Sequence, residues 1–198
     1  MRKILLILIL ATLVVSVTSC YGFATIRKDG PYEGRVIDVD TGQPIEGVVV
    51  LGDWSREHIS PGGAVHTFYD AQETVTDKNG DFRIEGMGLK ILSNVTPMDV
   101  LIFKAGYEYF ESPWESLKKS KYLIAKKKIK WEGSKAIIPL RKLTIEERRK
   151  QSIPYPPDEA IKEGKASLIL EEIEKDNKEL APSFKGRIPW GGKPSQSQ

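Results

Sequence analysis

Val48, Val49, Val50 and Leu51 form an unbroken aliphatic run inside a strand expected over residues 45–54. A strand with one wet face alternates apolar and polar residues. A run without alternation is expected to be buried on both faces. The flanking segments carry strand and turn chemistry of the same kind. Residues 33–39 read as a first strand, closed by Asp40, Thr41, Gly42, Gln43 and Pro44, with Gly42 able to take positive φ. Residues 73–76 and 82–85 flank Asp77, Lys78, Asn79 and Gly80, and Asn-Gly between two strand-like runs predicts a hairpin. Residues 99–104 form another strand, closed by Gly106. Residues 107–110 extend the sheet, and residues 121–130 and 135–140 supply the last strands. Residues 55–70, with Pro61, Gly62 and Gly63, read as a long loop of the kind that is often functional. Short strands at this spacing indicate a mainly β chain folded as a β-sandwich. The expected core is Val36, Ile45, Val48, Val50, Val75, Phe82, Ile84, Val100, Ile102 and Ile138, with Trp54 beside it.

The character changes after Leu143. Thr144 stands before Glu146 and Glu147, which predicts an N-cap and a short helix over residues 145–151. Pro154, Pro156 and Pro157 stop it, and a second helix is expected from about Asp158 to Leu180, weakened by Gly164. This helical extension, residues 143–181, is expected to pack on the sandwich or on a partner. Residues 182–198 are rich in Gly, Pro and Ser and read as a disordered tail.

The amino-terminal end carries a different kind of information. Arg2 and Lys3 precede an apolar run over residues 4–15, too short to span a bilayer core of ~20 residues. The run ends in small residues, as a signal segment does at its cleavage site. Val17, Thr18 and Ser19 then lead into Cys20, the only cysteine of the chain. This order resembles the lipobox of bacterial lipoproteins. The resemblance implies removal of residues 1–19, a diacylglyceryl group on the Cys20 sulfur and acylation of the new amino terminus, palmitate included. Such an anchor carries more than one chain, as stable membrane attachment requires. No cysteine then remains for a disulfide, so the domain has to be stable through its own core. Residues 20–31 read as a tether. Tyr21 follows the cysteine where an aspartate would resemble an inner-membrane retention signal, which points to the outer membrane, facing the periplasm, in a Gram-negative cell.

Charge excludes general nucleic-acid binding. Without Arg2 and Lys3 the chain keeps 28 basic and 27 acidic residues, and nucleic-acid binding needs a basic face. The charge is nevertheless uneven: residues 118–142 hold 10 basic residues and one acid, Glu132. Lys118, Lys119, Lys121, Lys126, Lys127 and Lys128 make a candidate basic face toward a membrane or acidic glycans, or else a solvated edge protected from pairing.

The segment Gly34, Val36, Asp38, Thr41, Gly42, Pro44, Ile45, Gly47, Val48, followed by Thr76, Asp77, Asn79, Gly80, Phe82 and by Lys104, Ala105, Gly106, Tyr107, resembles a carboxypeptidase regulatory-like domain over residues 32–142. The resemblance implies a transthyretin-like Greek-key β-sandwich of about seven strands. It also implies a non-catalytic role, since these domains accompany peptidases, transporters and surface proteins. A peptidase itself is excluded: a catalytic zinc takes three protein ligands, and the chain has only His58 and His66 and no HExxH helix. His58, His66, Asp70 and Glu73 offer at most a weak metal set, so no metal and no cofactor beyond the covalent lipid is expected. Asp77, Asn79 and Asp81 alternate like a calcium loop, but Gly80 and Gly88 fall at the wrong places for one. His66, Phe68, Tyr69 and Asp70 form the candidate binding loop, with Phe68 and Tyr69 as aromatics for sugar stacking. The expected protein is therefore a non-enzymatic, lipid-anchored accessory or protein-interaction module at the cell envelope. The alternative is a carbohydrate- or cell-wall-binding module.

Overall fold

The computed structural model describes residues 26–181, apart from residues 92 and 153 and the side chains of residues 123, 125 and 126. The expected signal segment, Cys20 and the tail over residues 182–198 lie outside the described residues. The strands are β1 Arg27–Asp29, β2 Tyr32–Asp38, β3 Val49–Ser60, β4 Gly63–Val75, β5 Asp81–Ile84, β6 Gly88–Lys90, β7 Asp99–Phe103, β8 Phe110–Pro113, β9 Lys130–Glu132 and β10 Lys135–Leu140. The helices are α1 Ser116–Lys119, α2 Lys121–Lys127, α3 Ile145–Lys150, α4 Asp158–Lys162 and α5 Ser167–Leu180. One four-stranded sheet runs in the order β5-β2-β10-β9, a second in the order β4-β3-β7-β8, and β1 and β6 form a two-stranded ribbon. The pairing of β2 with β10 is parallel, Val36 beside Ile138, and so joins the two ends of the sandwich region.

The two four-stranded sheets share one core. Val36, Phe82, Ile84, Ala136 and Ile138 enter it from one sheet, and Val50, Trp54, Val100, Ile102 and Phe110 from the other. Side chains alternate across a strand. Val48, Val50 and Trp54 therefore face this core, while Val49 and Leu51 point the other way. They meet Ala160, Ala166 and Ile169 of the helical extension in a second apolar cluster. The unbroken run is buried on both faces, as its lack of alternation requires. Of the ten expected core residues, Val75 alone departs: it ends β4 and is 41% exposed.

Several expectations change. Residues 55–70 are not a loop but the distal halves of β3 and β4, which pair from Val49–Val75 out to Ser60–Gly63 with a bulge at Trp54/Ser55. Pro61 and Gly62 mark only the two-residue turn. The turn at Asp77–Gly80 is formed, yet it joins β4 to β5 across the two sheets instead of closing a hairpin, because β5 pairs with β2. Residues 121–127, expected as a strand, are helix α2. Residues 27–29, assigned to the tether, are strand β1. The second helix is two helices, α4 and α5, separated by Gly164 in a left-handed conformation with φ 71°.

Among the residues that carried the family resemblance, those around Asp38, Thr76 and Asp77 form connected turns. Asp38 accepts from the amides of Asp40 and Thr41, at 2.9 and 3.0 Å. Asp77 accepts from Asn79 and Asp81, at 2.8 and 2.9 Å. Gly80 has φ 72°, and a methyl group there would strike the carbonyl of Val36. Buried Thr76 links the two turns: its hydroxyl donates to Ile45 O at 2.7 Å and accepts from Val48 N at 2.9 Å. Thr76→Val keeps the shape and orphans both backbone groups. The expected loss is about 2 kcal/mol in urea unfolding. A loss below about 0.5 kcal/mol would mean that the hydroxyl is dispensable.

The helical extension is held by carboxylates. Thr144 and Glu147 form a capping box on α3. Glu73 of β4 accepts from Leu168 N and Ile169 N, at 3.0 and 2.8 Å, and so satisfies donors at the start of α5. Glu172 and Asp176 accept from the amides of Ala105 and Gly106, both at 2.9 Å. Arg148 of α3 pairs with Asp176 and Glu179 of α5. The extension thus packs on the sandwich.

Candidate functional site

The residues singled out on the expected loop are dispersed by the strand geometry. His66 sits across from Glu57 and His58 across from Val65, so the two imidazoles leave opposite faces of the β3–β4 hairpin. Asp70 pairs with Lys165 at 2.5 Å, and Glu73 caps α5. Among the described residues no group of three or more His, Cys, Asp or Glu converges to hold a metal ion. Phe68 packs against the cluster under the helices. Tyr69 is half-buried against the main core, with the Arg56 guanidinium 4.5 Å and the Lys90 ammonium 5.0 Å from its ring centroid. The ring faces expected for sugar stacking are thus already engaged by packing and cations.

The candidate basic face is also partly engaged. Lys118 lies 4.3 Å from the Trp131 ring centroid, Lys119 pairs with Glu115, and Lys127 pairs with Glu108 at 3.2 Å. Lys121 and Lys128 are exposed, and the side chain of Lys126 lies outside the described ones.

Two arrangements were not visible in the sequence. The first is where the chain enters the domain. Asp29 of β1 is 1% exposed and accepts from the Tyr32 hydroxyl and from Trp54 Nε1, the latter at 3.2 Å. Arg27 stands 3.5 Å from Asp29 and donates to Val95 O and Thr96 O, at 2.9 and 3.1 Å. Tyr32 packs edge-on against Trp114 at 5.4 Å. Burial, then the bond to Asp29, pushes the Tyr32 phenol well above its ordinary range. A three-residue strand is thereby stitched to the inter-sheet core by a carboxylate that is itself inside it.

The second is an acidic cleft of ≈ 470 Å³ between the outer face of the β3–β7–β8 sheet and the segment Tyr155, Pro156, Pro157, Asp158. Asp53 and Asp99 are directly opposed in the β3–β7 register, and Glu111 stands opposite Leu101, two positions along. Like charges so placed repel. Burial, then Asp99 and Glu111, pushes the Asp53 carboxyl up to about 7. Burial and Glu111 raise Asp99 as well. Tyr155 bonds Asp158 at the rim, which raises its phenol. The cleft can keep a proton on Asp53 near neutrality, or exchange it for the cationic end of a lysine or arginine side chain. An aspartate at the end of an apolar run was the only sequence signal for it; its neighbours come from three other segments.

No family model matches the chain, and no match is found among curated proteins or solved structures.

Proposed function

We propose that this protein is a non-enzymatic lipoprotein, held at the cell envelope by acyl chains on Cys20. Its domain, of the carboxypeptidase regulatory-like and transthyretin-like kind, serves as an accessory or protein-interaction module. The observation that carries the reading is the order Val17, Thr18, Ser19, Cys20 directly behind a short apolar run that opens on Arg2 and Lys3. The chain's entry into the domain supports it. Seven residues after Cys20 the backbone is already paired in β1, and a pull on the anchor reaches the core through Asp29 and Arg27. The family reading is supported by the connected turns around Thr76, where the quoted residues carry structure instead of chemistry.

Cys20→Ser tests the anchor. The variant is expected to leave the membrane fraction and to lose incorporation of labelled palmitate. Retention in the membrane fraction with no change in labelling would overturn the lipoprotein reading. The interaction role is tested by affinity capture of the intact protein from detergent-solubilised membranes. A stoichiometric protein partner is the expected result, and its absence would overturn that role.

A further inference from the structure

The β1–β6 ribbon has two unlike faces. Arg27 pairs with Lys90, Lys28 with Leu89 and Asp29 with Gly88. Alternation puts Arg27, Asp29 and Lys90 on one face, and all three are spent on the domain: Asp29 on Trp54 and Tyr32, Arg27 on Val95 and Thr96, Lys90 on Tyr69. Ile26 precedes Arg27 and Ile91 follows Lys90, so Ile26, Lys28, Leu89 and Ile91 share the opposite face. Ile26 is 72% exposed, Leu89 64% and Ile91 57%. Lys28 is exposed as well. A two-stranded ribbon is marginal by itself and persists here because one face is packed. Nothing about that packing calls for three large aliphatics on the other side, and a grouped apolar face of this kind marks a contact surface.

We propose that this outward ribbon face is a membrane-docking surface, lying at the headgroup–acyl boundary of the bilayer that holds Cys20. The proposal rests on the reading of Cys20 as lipidated. Chain length favours this occupant. Ile26 stands six residues after Cys20, a reach of at most ~21 Å. Strand β3 alone, with 12 residues, extends about 40 Å. The ribbon is therefore kept within reach of the bilayer when the far end of the molecule is not. Composition agrees: Cys20 to Lys28 contains no acid, includes the aromatics Tyr21 and Phe23, and ends in Lys28 on the outward face. Lysine on an apolar face suits anionic headgroups, because its stem lies along the acyl boundary while the ammonium stays in the headgroups.

The test uses the full chain, processed and acylated in a producing bacterium and reconstituted into vesicles of phosphatidylethanolamine and phosphatidylglycerol. Leu89→Cys is labelled with an environment-sensitive thiol dye. An acylated Cys20 has no free thiol, so a single dye per chain reports an intact anchor. A second dye per chain reports failure of the anchor reading instead of the docking proposal. Lys178→Cys is the control. It lies on α5 beside Asp176, which binds Gly106, at the other end of β7 from the ribbon. Iodide is expected to quench the dye at 89 at least about threefold less than the dye at 178, with a blue-shifted emission, as for a group buried in the interface. Adding Ile26→Ser and Ile91→Ser, both at exposed positions, is expected to abolish the difference with the domain still folded. Equal quenching at 89 and 178 would overturn the proposal. So would protection at 89 that persists for the Cys20→Ser chain in lipid-free buffer, since a segment of this chain, a second copy or another protein would then cover the face.

Discussion

Asp53→Asn is expected to stabilise the protein by about 2–4 kcal/mol above pH ~7.5 and to change it little near pH ~4. The sign follows from the direction in which the carboxyl is displaced. In the native state it is raised to about 7, whereas in the unfolded chain it takes its ordinary value. The native state therefore holds a proton that the unfolded state has released, and stability falls as pH rises between those two values. Below the unfolded value both states are protonated and the penalty vanishes. Above about 7 the native state must carry a desolvated charge opposite Asp99 and near Glu111, and the penalty is complete. Ionising a carboxyl held that far above its ordinary value costs about 4 kcal/mol, and the residual solvent contact of Asp53 lowers this toward about 2 kcal/mol. Asparagine removes the charge at nearly constant volume. Urea unfolding midpoints at the two pH values measure the difference. An equal midpoint change at both would show that Asp53 ionises normally.

A protein that keeps such a cluster gives up stability at neutral pH. A cationic side chain entering the ≈ 470 Å³ cleft would draw the Asp53 carboxyl back down. Binding would then both release a proton and stabilise the fold.

What could be read from the sequence was what local chemistry determines. Thr144 ahead of Glu146 and Glu147 announced an N-cap, which the structure completes as a capping box, and Asp77 with Asn79 and Gly80 announced a turn. The run Val48–Leu51 announced a strand covered twice. What could not be read depended on partners distant in sequence. The distal β3–β4 hairpin carries Arg56, Glu57, His58 and His66 in solvent on both faces, so no alternation marks it as strand; only its pairing does. Strand β1 is three residues long, and its ladder partner lies some sixty residues away. In α2, the short apolar run Tyr122, Leu123, Ile124, Ala125 reads like a short strand, and the helix-forming lysines on either side outweigh that pattern. The acidic cleft assembles Asp53, Asp99, Glu111 and Asp158 from four separate segments. Asp77 and Gly80 gave a turn but not its destination, because a turn's dihedrals do not say which sheet the next strand joins.

Asp29→Ala is expected to cost about 3–4 kcal/mol, more than any other single change in the entry region. The carboxylate is inside the protein and serves three groups at once. Without it the Tyr32 hydroxyl and Trp54 Nε1 lose their acceptor among aromatic neighbours, and Arg27 loses its counter-charge. Each buried donor left unpaired costs about 1–3 kcal/mol. Asp29→Asn retains an acceptor oxygen and is expected to recover about half of the loss. Two readouts separate this stitch from a general packing defect. Amide exchange should speed up in β1 and β6 before the four-stranded sheets respond, since Asp29 fastens the ribbon to the inter-sheet core. The Tyr32 phenol should titrate lower, because the bond and charge of Asp29 add to burial in raising it. Unchanged exchange in the ribbon together with an unchanged Tyr32 titration would refute the stitch. The same variant also divides anchor from docking. Freeing β1 extends the span from Cys20 to the first fixed strand, at Tyr32, to twelve residues, about 42 Å at full stretch. A chain acylated at Cys20 should therefore still fractionate with membranes, while a dye at position 89 loses its protection from iodide.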